Sequence, residues 1–95
     1  MMESTMSEAT EILAQASAIV SGGRQRAYGP PERNLARIAA LWSAYLDRGV
    51  SAADVAALMI LLKVGRAQSG AGTPDNAIDA AGYAALWGEM LGGTR

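Results

Sequence analysis

The 95-residue sequence predicts an all-α fold, a four-helix bundle forming one small domain. Three observations carry this. Four stretches place apolar residues at helical spacing, each stretch is bounded by start and stop residues, and none alternates apolar with polar residues as a half-buried strand would. There is no internal repeat and no linker. Residues 1–4 read as a disordered N-terminus, 5–91 as the helical domain, and 92–95 as a frayed C-terminus.

The first helix is expected from about Thr5 to Val20. Thr5 and Glu8 have the spacing of a capping box, and Ile12, Leu13, Ala16, Ile19 and Val20 repeat on one face. Ser21-Gly22-Gly23 stops it. The second helix runs from Pro31, a residue suited to a first turn, to about Leu46. Leu35, Ile38, Leu41, Trp42 and Tyr45 form its apolar face, opposite Arg33, Arg37, Ala44 and Arg48. The third, from about Ala52 to Gln68, opens on a Ser51/Asp54 capping box. It is apolar nearly all round, which predicts a central, buried helix. The fourth runs from about Pro74 to Leu91, with Thr73 as cap, Pro74 in the first turn and Gly92-Gly93 as the stop.

Composition narrows the chemistry. Apolar residues make up 51% and charged residues 18%, a globular balance. With eight Lys and Arg against nine Asp and Glu, the net charge of -1 gives no field to hold nucleic acid. The Arg33/Arg37/Arg48 stripe is diluted by Glu32 and Asp47, so nucleic acid is not an expected partner. The chain has no Cys and no His, which excludes disulfides, thiol nucleophiles, Cys/His zinc sites and histidine acid–base catalysis. A metal would need oxygen ligands, which favours Mg²⁺ or Mn²⁺. The longest apolar run, Val55 to Leu62, is about a third of a bilayer span, and the acidic N-terminus carries no signal-peptide core. The cytoplasm of the producing cell is the expected location. Phe is absent and small residues abound, so a homo-oligomer, a dimer or higher, is expected to complete the core. The small face of the fourth helix (Ala77, Ala81, Ala84, Ala85, Gly88) is one place for it.

Candidate site residues are polar groups where the pattern calls for apolar ones. Asn34 shares a stripe with Ile38, Leu41 and Tyr45; it is either a satisfied buried amide or a ligand contact. Lys63, the sole lysine, and Arg66 end a stripe begun by Val55 and Met59. They either complement the helix C-terminus or hold an anion. Asp75, Asp79 and Tyr83 fall at i, i+4 and i+8 on one face. The two carboxylates suit a hard metal or an ion pair with Lys63 or Arg66. The Arg24–Gly29 segment adds Arg24 and Arg26, whose forks match phosphate oxygens, and Tyr28, which can stack on a base. Together these describe a nucleotide-phosphate site with room for Mg²⁺.

The same residues carry a likeness. Arg24-x-x-x-Tyr28-Gly29-x-Pro31-x-x-Asn34, then Ala39-x-Leu41-Trp42, Leu61-Leu62-Lys63-x-x-Arg66 and Asp75-Asn76-x-x-Asp79-x-x-Gly82-Tyr83, resemble a small all-α domain family of unknown function found in phage and prophage genomes. The likeness covers the chain from about Ile12 to Glu89. More remotely, the helical layout and the Asp75–Tyr83 segment are similar to MazG-like and dimeric dUTPase-like all-α nucleotide pyrophosphohydrolases, and to a nucleotide-modification-associated phage domain. The hydrolase likeness implies Mg²⁺ held over phosphates by acidic pairs on two helices. This sequence has Asp75 and Asp79, with Glu32 as a further acid, but no Glu-x-x-Glu pair on its second or third helix.

Three functions follow. The first is a phage-type binding protein for a nucleotide or nucleotide-derived signal, sequestering it within the host cell. In it Arg24, Arg26, Lys63 and Arg66 hold phosphate, Tyr28 or Tyr83 stacks on the base, and Asn34 and Gly29 shape the site. The second is a Mg²⁺-dependent nucleotide pyrophosphohydrolase, with Asp75, Asp79 and Glu32 as metal ligands. The third is a structural or protein-interaction bundle, with Trp42, Tyr45 and Trp87 at an interface.

Overall fold

A computed structural model describes residues 7–23, 29–70 and 73–93. Among these the chain forms four α-helices and no strand: α1 (Glu8–Ala18), α2 (Pro31–Leu46), α3 (Ala52–Ser69) and α4 (Asp75–Leu91). Thr5, the Arg24–Tyr28 segment and the extreme termini lie outside the described residues. Among the described residues no helix is long and apolar enough to cross a membrane.

α1 is capped by Ser7, whose Oγ accepts from the Thr10 amide at 3.1 Å. Glu8 is thus the first helical residue, so it does not fill the third-position role of the expected Thr5/Glu8 box. At its C-terminus α1 widens into a π-helical turn over Ile19–Gly23. There the Ser21 hydroxyl donates to the Ser17 carbonyl at 2.7 Å, a back-bond that competes with the regular ladder just before two glycines.

α2 begins at Pro31, as expected, and ends at Asp47, which is left-handed (φ 55). An aspartate tolerates that conformation where most residues do not. The turn to α3 is pinned by Ser43. Its Oγ accepts from the Val50 amide at 2.8 Å and donates to the Val50 carbonyl at 3.1 Å. α3 then starts on the expected capping box: the Asp54 amide donates to Ser51 Oγ at 3.0 Å, and the Ser51 amide to Asp54 Oδ2 at 2.9 Å. At α4 the cap is Pro74, one residue later than Thr73, without a side-chain bond.

The core joins three helices. Leu35 and Ala39 of α2, Val55 and Ala56 of α3 and Leu86 of α4 are buried together. Ile38, Trp42, Met59, Tyr83 and Met90 pack around them, as does Val20. Ala39 and Ala56 let the backbones of α2 and α3 approach closely. α3 and α4 form the most extensive helix pair. α1 lies on α4, where a Cβ on Gly82 would meet Val20 Cγ2 at 3.4 Å. Ala81, Gly82 and Ala85 line a shallow groove with Leu13, Ala16 and Ser17. The small residues of α4 thus admit a helix of the same chain.

Two expectations of burial are corrected. Leu41 and Tyr45 of α2 are 65% and 89% exposed, because α3 and α4 cover only the arc of α2 around Leu35, Ala39 and Trp42. α3 is central but not enclosed: Val55 and Ala56 are fully buried, whereas Leu58, Leu61, Leu62 and Val64 face solvent. α2 and α4 are its main helix neighbours, and two helices do not surround a third.

Candidate functional site

Lys63 sits two turns beyond Val55, on the side of α3 that turns inward. This placement sets its ammonium against α4 rather than in water. Its Nζ lies 3.1 Å from Asp79 Oδ2, with the lysine side chain 15% exposed and the aspartate 40%. Asp79 follows the buried Ile78 in the second turn of α4, so the packing that buries Ile78 fixes where the carboxylate sits.

The pair forms part of the wall of a cavity of about 130 Å³. The wall is largely apolar, with Ile19 and Val20 from the π-helical turn, Leu35 and Ile38 from α2, and Ile78 and Leu86 from α4. Asn34, Lys63, Asp79 and Tyr83 supply its polar side chains. That volume holds a few waters or one compact polar group, and is below the ~300 Å³ at which whole small-molecule sites begin. Gly29 and Pro31 border the same cavity. Gly29 has φ +85 with open space about its Cβ position, so backbone conformation rather than room calls for glycine.

The structure therefore gathers Gly29, Asn34, Lys63, Asp79 and Tyr83. The other candidates lie apart. Arg66 is exposed one turn further along α3, Asp75 is exposed in the first turn of α4, and Glu32 is exposed at the start of α2; none borders the cavity. Arg24, Arg26 and Tyr28 lie outside the described residues, between Ile19–Val20 and Gly29, all three of which are on the wall. Sequence reading did not find the apolar wall, because Ile19, Val20, Ile78 and Leu86 look like ordinary core positions. The one available signal was that Ile19 and Val20 end a helical face just before a glycine pair.

Among the described residues no three of His, Cys, Asp and Glu gather closely enough to hold a metal ion. Asp79, the one acid on the described wall, is already engaged by Lys63.

Comparison with known proteins places this arrangement among phage proteins. Residues 11–91 match the model of a domain of unknown function, DUF6378. The chain is 43% identical over 73 residues to the Gene 55 protein of Mycobacterium phage D29, covering 77% of this chain and 48% of that protein. To the Gene 55 protein of Mycobacterium phage L5 it is 43% identical over 81 residues, 83% of this chain and 51% of that protein. The chain thus spans about half the length of these curated relatives. No solved structure matches it. The matched stretch takes in all of α2, α3 and α4 together with every wall residue of the cavity, and on that extent the chain belongs to the DUF6378 family.

Proposed function

We propose that this domain binds a nucleotide or nucleotide-derived signal, seating one phosphate or the base edge in the cavity between α2, α3 and α4. The observation that carries the reading is the placement of Lys63. The sole lysine of the chain is held on the wall of a mainly apolar cavity by Asp79, 3.1 Å away. A half-buried ion pair adds little net stability over apolar side chains of the same volume, so its presence there is better accounted for by a ligand than by the fold. An ammonium has three donors. One serves Asp79, and in this reading the others meet an anion or a base edge entering the cavity.

The remaining wall suits the rest of such a ligand. Asn34 places its amide on the wall, and the Tyr83 ring with Ile38 and Leu86 offers apolar area for a base. Arg24, Arg26 and Tyr28 lie outside the described residues, and in this reading they keep the phosphate-holding and base-stacking roles their chemistry suggests. In a phage setting, holding the ligand would sequester it inside the host cell. Mg²⁺ enters this reading only as an ion carried by the nucleotide's own phosphates.

The test is a thermal-shift screen of the purified chain against nucleotides and cyclic nucleotides, with and without Mg²⁺. A ligand at about 100 times its Kd stabilises by about 2.7 kcal/mol, a rise of roughly 10–20 °C for a domain this size. The rise is expected in the native chain and absent in Lys63→Met. An equal rise in Lys63→Met, or none across the panel, overturns the reading. Release of pyrophosphate from a nucleoside triphosphate in the same samples would replace binding with hydrolysis.

A further inference from the structure

The two charges on the cavity wall balance each other. Among the described residues Lys63 is the one cation there and Asp79 the one acid, and their charged atoms are 3.1 Å apart. Two acceptors bonded to different N–H groups of one ammonium stand about 5 Å apart. A phosphate oxygen taking a second donor from Lys63 would therefore come within the ~4–6 Å over which a like charge is disfavoured. Repulsion from Asp79 would offset much of the attraction to Lys63. The rest of the described wall adds no second cation, and an anion set against Ile38, Ile78 and Leu86 would lose its hydration without replacement.

A neutral group meets the same pair on better terms. The ammonium only donates and the carboxylate only accepts, so side by side they complement an acceptor next to a donor. Such an edge is found on every nucleobase: a ring carbonyl beside a ring N–H, or a ring nitrogen beside an amino group. Lysine donating to a base carbonyl and a carboxylate accepting from a base amino group are both established pairings.

The size and lining of the cavity agree. Its volume of about 130 Å³ is close to the ~150 Å³ of an apolar cavity that takes a benzene ring. Pockets that enclose a base read its edge by hydrogen bonds and cover its faces with apolar and aromatic side chains. Here Ile38, Leu86 and the Tyr83 ring supply the apolar area, with Lys63 and Asp79 as the charged groups on the same wall.

We propose that the cavity takes the hydrogen-bonding edge of one six-membered nucleobase ring, Lys63 donating to its carbonyl or ring nitrogen and Asp79 accepting from the neighbouring N–H. The ring is a pyrimidine or the six-membered ring of a purine, and the phosphates stay outside. The inference rests on the nucleotide reading above and narrows it: of the two groups that reading admits to the cavity, the base edge enters. Asp79 then determines specificity as much as Lys63 does.

Isothermal titration of the full chain tests it. The probes are five nucleosides (uridine, thymidine, cytidine, adenosine and guanosine), their nucleotides, inorganic phosphate and pyrophosphate. At least one nucleoside is expected to bind without any phosphate. Inorganic phosphate and pyrophosphate are expected to show no binding that Lys63→Met removes. The same nucleoside methylated on the ring nitrogen of its pairing edge is expected to bind about a hundredfold more weakly or less. Asp79→Asn, with far-UV circular dichroism as the folding control, gives opposite signs for the two groups. Affinity falls by about tenfold or more if a base edge is seated there, and rises if an anion is, because the repelling charge is gone. The comparison of nucleosides with phosphate on the native chain stands without that variant. Lys63-dependent binding of phosphate or pyrophosphate, an undiminished methylated analogue, or tighter binding by Asp79→Asn overturns the proposal. Nucleotides that bind while every nucleoside is silent overturn it and leave the nucleotide reading in place. Silence from nucleosides and nucleotides alike overturns both.

Discussion

Lys63 of α3 and Asp79 of α4 form a 3.1 Å ion pair across the most extensive helix contact of the domain, on the wall of a cavity. Sixteen positions separate them in the chain, and two other faces of each helix were available. The pair closes one side of an apolar space instead of standing in water, and it links the packing of the fold to the chemistry assigned to it.

Stability and binding should separate at this pair. Lys63→Met keeps the stem and removes the charge. It is expected to change unfolding free energy by less than about 1 kcal/mol, and to abolish the nucleotide-induced thermal shift. Urea denaturation and the ligand screen, run on the same sample, check both halves. A double-mutant cycle with Asp79→Ala should give a coupling of about 0.5–1 kcal/mol.

Ser43 should matter more than its small size suggests. Its hydroxyl satisfies both the amide and the carbonyl of Val50. Ser43→Ala leaves two partly buried backbone groups unpaired, and an expected loss of about 1–3 kcal/mol follows. Chemical denaturation measures it, and Ser43→Thr should recover much of the loss.

The start of α3 offers a paired comparison. Ser51→Ala removes one half of a formed capping box and should cost about 1 kcal/mol. Val55→Ala, one turn later at a fully buried site, should cost about 2 kcal/mol through lost burial and the space left behind. Equal and negligible effects at both would mean that this end of α3 is not packed as described.

Gly82 ties α1 to the cavity. A Cβ there already reaches contact distance from Val20 Cγ2, and both residues border the cavity. Gly82→Leu should overpack the α1–α4 contact at about 1–3 kcal/mol and weaken ligand binding while leaving Lys63 in place. Isothermal titration with the nucleotide found by the screen would show it.

The helices themselves were legible because their signals are local. The Ser51/Asp54 box, Pro31 at a first turn and Gly92 at a stop act through bonds to residues within one turn of themselves, so chain order suffices to read them. The limits of that reading are also local. Ser7 rather than Thr5 caps α1, since hydroxyl residues two positions apart compete for the same role and only the formed helix chooses. Nor does periodicity tell how many neighbours a helix will have. It marked Leu41, Tyr45 and the whole circumference of α3 as apolar, but a four-helix chain has too few partners to cover them.

From order alone, then, come the all-α class, the limits of α2, α3 and α4 to within a residue or so, and the short roster of polar residues out of keeping with their surroundings. Which of that roster meet is decided by packing. Lys63, Asp79, Asn34 and Tyr83 come to one cavity, whereas Arg66, Asp75 and Glu32, equally conspicuous in the sequence, stay apart from it. The reason is geometric. Helical spacing sets a side chain's angle about its own axis, but whether it meets another depends on the crossing of two helices. Here Lys63 meets Asp79 because α3 and α4 form the most extensive helix contact of the domain.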